Sequence, residues 1–188
     1  RKVCTILGQL GYPVSIPVLL DVAQAKGATA DVTSAAMDAV RALGGKDQPA
    51  HEAYAATALA FLGGDASLVA FPAESMQNIW KWTEFGGAAA DRVSTRVYFD
   101  VMAMYFSRRA LELDASDDKA LAAFVAGDLR REAGMGDGIV DPLFAGQGRS
   151  AQFYATASGP KTMQDVLQIG LDLGDTGLVR ASLAALRE

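Results

Sequence analysis

Apolar residues return along most of this chain with the period of a helix. Val32, Ala35, Ala36, Ala39, Val40 and Leu43 fall on one helical stripe, as do Val18, Leu19, Val22 and Ala23 after Pro17, and Val179, Leu183 and Leu186 near the end. Most of these segments stop at a glycine: Gly11, Gly27, Gly44-Gly45, Gly63-Gly64, Gly86-Gly87, Gly134, Gly159 and Gly174. Glycine supplies the left-handed residue that ends a helix, so this ladder counts helices before any motif is sought. The pattern predicts helices over 3–10, from Pro17 to Gly27, over 31–43 with Asp31 as N-cap, and over 49–62. It continues with a longest helix over 88–113, a returning helix over 117–133, and helices over 151–158, 161–173 and 175–186. Residues 97–106 are apolar on nearly every side and should form the most buried element. No stretch alternates β-branched and polar residues for long enough to suggest a strand. The expected fold class is all-α, built of antiparallel helix pairs with an irregular middle section.

That middle section divides the chain. Residues 1–64 and 159–188 are regular helix pairs, and 65–158 is a divergent helical section. The divergent part includes a connector over 65–71, a stretch opened by Pro72 that carries Trp80, Trp82 and Phe85, and a glycine-rich loop over 134–150. The chain opens at Arg1 within an apparent helix, so it reads as a piece of a longer protein, with neighbouring repeats expected at both ends.

Composition narrows the function classes. Of 188 residues, 51% are hydrophobic and 21% charged, which is a globular and not a disordered balance. A net charge of -5 repels phosphate backbones overall and speaks against nucleic acid as a partner. Arg92, Arg96, Arg108, Arg109, Arg130 and Arg131 form a local cationic strip, read first as solvated helix faces and ion pairs. No apolar run reaches the roughly 20 residues that span a bilayer. The compartment is left open, because a single cysteine, Cys4, excludes an intrachain disulfide and Cys-rich zinc sites without placing the chain in a cell.

Two segments resemble HEAT repeats, the paired-helix units of α-solenoids. One covers 15–44, with Ile16-Pro17-Val18-Leu19-Leu20 on the first helix, then Asp31-Val32 and Ala35 to Leu43 on the second. The other covers 163–188, with Val166-Leu167 and Leu171, then Asp175 in the turn, Leu178-Val179-Arg180 and the leucines beyond. Residues 3–11 are similar to the end of a HEAT second helix, and 110–133 looks a little like a tetratricopeptide junction. The resemblance implies an α-solenoid and a polar ladder between neighbouring units, with Asp175 and Arg180 at its positions. In the first unit Thr33 stands where the arginine is expected.

The search for chemistry is short. His51 has no His, Cys or paired carboxylate at ligand spacing, and Cys4 reads as an inert buried thiol. The glycine-rich loop lacks the phosphate-binding pattern, Ser158-Gly159-Pro160-Lys161-Thr162 reads as a helix stop and start, and Asp137 and Asp141 do not have calcium-loop spacing. No cofactor or metal site is expected. Asp100 lies inside the apolar helix and needs a partner, for which Arg96 is one turn away. Trp80, Trp82 and Phe85, with Arg92 and Arg96, form the candidate interaction patch. If they lay on one helix, the two tryptophans could not face the same core. The resulting expectation is a non-catalytic scaffold for a protein partner. The alternatives are a structural subunit, possibly of an envelope assembly, that packs against copies of itself or other subunits, and a HEAT-like enzyme acting on nucleic acid through Asp100 and the arginines.

Overall fold

The computed structural model describes residues 1–144, 146 and 148–187; Ala145 and Gln147 of the glycine-rich stretch, and Glu188, lie outside the described residues. Helices dominate. The first are α1 (Lys2–Leu10), α2 (Ile16–Gln24), α3 (Ala30–Ala42) and α4 (Ala50–Leu62). A hairpin of β1 (Met76–Trp82) and β2 (Ala88–Ser94) then leads into α5 (Thr95–Leu113) and α6 (Asp118–Gly134). The chain finishes with α7 (Ala151–Ala157), α8 (Gly159–Leu173) and α9 (Thr176–Ala185).

The glycine ladder places most helix ends. Gly11, Gly27, Gly44, Gly64 and Gly174 all have positive φ just beyond a helix, where any side chain would strain the backbone. Asp31 lies in the first turn of α3, and the N-cap is Thr29. Asp117 and Asp175 do cap their helices, accepting from the amides of Ala120 and Leu178 at 2.9 Å.

Buried residues fall into two clusters. α1 to α3 close over Cys4, Leu19, Leu20, Ala36, Ala39 and Val40, with Ala50 and Ala53 from the start of α4. The larger core runs from α4 through α9 around α5, whose Val97, Val101, Ala103 and Met104 are fully buried. α5 is the longest described helix at 19 residues. Its apolar middle is largely buried apart from exposed Tyr105, and residues 120–129 of α6, with no exposed position, are more enclosed than the sequence-favoured 97–106. α6 lies against it closely because Gly127 has no side chain: a Cβ there would sit 3.0 Å from Met104 Cγ and 3.1 Å from the Asp100 carbonyl oxygen.

The expectation of a strand-free chain fails in the middle section. Residues 88–94, read as the opening of the long helix, form β2 and pair antiparallel with β1. Alanine favours helix in isolation, so Ala88-Ala89-Ala90 ahead of an apolar helix looks like its first turn. Cross-strand pairing with Ile79, Trp80 and Trp82, which have high strand propensity, overrides that preference.

Candidate functional site

The hairpin is closed by a loop that its sequence specifies. The Thr83 amide donates to the Gly87 carbonyl at 2.9 Å, and the Gly86 amide donates to the Thr83 carbonyl at 3.0 Å. Gly86 carries φ of 77°, so Glu84, Phe85 and Gly86 form a three-residue turn with glycine at the left-handed position. Gly86-Gly87 therefore turns a hairpin rather than ending a helix.

The strand period of two then sorts the side chains. Gln77, Ile79 and Lys81 point to one side, opposite Val93, Asp91 and Ala89. Ile79 and Val93 enter the main core. The Gln77 side chain is buried too, donating to the Phe71 carbonyl at 2.7 Å and to Thr95 Oγ1 at 3.3 Å. Lys81 Nζ holds Asp91 Oδ2 at 2.6 Å. Asn78, Trp80 and Trp82 point to the opposite side, across from Arg92, Ala90 and Ala88. Trp80 and Trp82 thus share one face, about 6.6 Å apart along the strand, and it is the solvent face: they are 66% and 75% exposed, and Phe85 at the tip is 99% exposed. Their cross-strand neighbours are alanines, too short to cover an indole.

Four of the candidate patch residues, Trp80, Trp82, Phe85 and Arg92, therefore belong to one hairpin. Arg96 does not. It is exposed on the first turn of α5 and lines a separate crevice of about 290 Å³ with Asp100, Arg130 and Asp175. Asp100 is buried there, and the guanidinium that meets it is that of Arg130 from α6, with Nε 3.1 Å from Oδ1. This approach is out of line for a hydrogen bond and leaves Oδ1 without a donor, so the attraction is coulombic. Burial pushes the Asp100 carboxyl up to about 6, with Arg130 pulling it down and Asp175 pushing it up. Arg130 also reaches Asp175 Oδ2 at 3.4 Å and donates to the Leu62 carbonyl at 2.6 Å, which ties α6 to the end of α4. The ladder aspartate Asp175 thus meets Arg130, while Arg180 is exposed on α9.

Other candidates are occupied by structural partners. His51 Nδ1 lies 2.7 Å from Asp117 Oδ2, and its Nε2 lies 3.8 Å from Asp114 Oδ2, so it clamps α4 to the α5–α6 turn. Sequence spacing cannot reveal that meeting. Asp141 lies buried, 3.0 Å from Arg131 Nη1, and also accepts from the amides of Leu143 and Phe144. Arg131 bonds Asp128 Oδ1 at 3.0 Å as well, and burial raises the Asp128 carboxyl. This buried network anchors the loop after α6 to the helix. Cys4 is a buried free thiol. Among the described residues no cluster of His, Cys, Asp or Glu could hold a metal ion, and no helix is long and apolar enough to cross a membrane.

Compared with known proteins, the chain matches no family model, no curated protein and no solved structure.

Proposed function

We propose that this chain is a non-catalytic protein-interaction module of the HEAT-like kind, a helical scaffold that presents the β1–β2 hairpin to a protein partner. One observation carries the reading: Trp80, Trp82 and Phe85 are all exposed on one projecting hairpin, 66%, 75% and 99%, while aliphatic residues fill the core behind it. Tryptophan left in water costs solvation free energy that only a partner recovers, and aromatic residues with arginine are the commonest anchors of protein interfaces. Arg92 supplies the cation on the same face.

The packed neighbours α2–α3 and α8–α9 are consistent with repeat units of an α-solenoid. Val3, Ile6 and Leu10 on α1, and Leu171 and Leu183 on α8 and α9, are exposed apolar residues onto which neighbouring units would stack. The cationic strip favours this reading over action on nucleic acid, because Arg109, Arg130 and Arg131 are each engaged by carboxylates of the same chain.

The test is affinity enrichment from cells of the source organism, with wild type and a Trp80→Ala/Trp82→Ala variant side by side. Both tryptophans lie outside the core, so the variant should keep its helical circular dichroism and the Tm of its helical core, and slow amide exchange at Lys81 and Ala89 should show that the hairpin is still formed. Proteins retained by wild type and lost from the variant support the proposal. Identical retention by the two folded proteins would remove the hairpin from any binding role.

A further inference from the structure

The hairpin has a second feature besides its aromatic face, a free strand edge. On β2 the Ser94 amide points away from β1 and donates to the Val140 carbonyl at 2.8 Å. Amides two residues apart along a strand point the same way, so those of Arg92, Ala90 and Ala88 are also directed outward. No proline, lysine or bulge guards Ala88-Ala89-Ala90-Asp91-Arg92, although sheet edges are ordinarily protected by such devices.

The charges along this edge say what fits it. When two copies of β2 run antiparallel with Ala90 opposite its own counterpart, Arg92 of each copy falls opposite Ala88 of the other, and Asp91 falls opposite Ala89. Beyond Ala88, within the same copy, stands Trp82; beyond Ala89 stands Lys81. Arginine can therefore lie across the small alanine onto the partner's exposed indole, a cation–π contact. On the other face Asp91, already 2.6 Å from its own Lys81, gains the partner's Lys81 across an alanine. Sliding one copy by two residues opposes the two Asp91 carboxylates, and by four the two Arg92 guanidinia. Sliding two residues the other way sets each Arg92 opposite Gly86 in the turn, beyond the partner's Trp82, so the Ala90-centred alignment is the one that pairs the charges. The edge is self-complementary in the manner a two-fold interface requires.

We propose that two copies of this chain associate through antiparallel pairing of their β2 edges centred on Ala90, giving a continuous four-stranded sheet with the tryptophans of both copies on one face. This goes beyond the capture of another protein. Its backbone pairing lies on the strand edge, with only the Arg92–Trp82 contact touching the indole face, so a monomeric chain would refute it and leave the enrichment experiment unaffected.

The experiment is light scattering coupled to size exclusion over a concentration series of the full chain, on wild type and Ala90→Pro. Proline at position 90 removes an amide hydrogen that the hairpin itself does not use. Wild type should dimerise and Ala90→Pro should dissociate at least ~10-fold more readily. Ala90→Cys gives an independent reading of the register: mild oxidation should link it into a disulfide dimer, whereas Ala89→Cys, which never meets its own counterpart, should stay unlinked. Wild type that remains monomeric at the highest concentrations overturns the proposal. So does a dimer in which Ala90→Cys fails to cross-link or cross-links no better than Ala89→Cys.

Discussion

Buried carboxylates are where single residues govern the energetics. Asp100 has a folded-state pKa of about 6 against 3.8 for the ordinary group, so over that interval the folded chain keeps a proton the unfolded chain has released. The stability this contributes is present below the ordinary value and is lost as pH rises through the folded one. Asp100→Asn keeps a neutral side chain at every pH. It should flatten the decline in unfolding free energy between these two values and gain about 3 kcal/mol relative to wild type above them. Urea unfolding at a series of pH values measures it, and an equally steep decline in the variant would show that Asp100 is not the titrating group. Asp141→Ala should act in the opposite sense. It leaves Arg131 buried with one carboxylate fewer and frees the amides of Leu143 and Phe144, a loss of about 3 kcal/mol at neutral pH in the same measurement.

Among the elements, the helices were legible in the sequence and the hairpin was not. Helix starts and stops carry local chemistry: Pro17 in a first turn, Asp117 and Asp175 as caps, glycines at positive φ just past the ends. The hairpin hides because its pattern is inverted. Its inward positions hold Gln77 and Lys81 with Ile79, its outward ones hold tryptophan, and β2 begins with the alanines expected of a helix. The one local signal for a strand pair is the turn between Met76–Trp82 and Ala88–Ser94, with glycine at its third position. Gly86→Val should therefore loosen the hairpin alone, by about 1–2 kcal/mol, since its φ is unfavourable for a branched residue. Hydrogen exchange should show faster amides at Lys81 and Ala89 with no change in α5; equal protection of those amides would contradict the turn.

Across the whole molecule, some apolar faces hold the fold and others are free. Leu20 is fully buried in the cluster of α1 to α3, whereas Ile6 is 52% exposed on α1. Leu20→Ala should cost about 2–5 kcal/mol, and Ile6→Lys less than about 0.5 kcal/mol. Comparable losses at both positions would mean that α1 is packed by something other than its present neighbours. The contacts that join distant segments lay beyond sequence reasoning for a common reason. Asp100 with Arg130, His51 with Asp117 and Asp21 with Arg109 are tertiary meetings between helices, and helical periodicity fixes which face a residue occupies but not which helix it will face.

The central claim is that the hairpin of Trp80, Trp82 and Phe85 is a protein-binding surface. Its most direct test places a photo-crosslinking amino acid at position 85, at the tip, and a control at exposed Gln168 on α8, with irradiation in cells of the source organism. The account predicts a discrete protein adduct from position 85 that disappears when Trp80 and Trp82 are changed to alanine, and no such adduct from position 168. Absence of any adduct at position 85, or the same adduct from both positions, would contradict it.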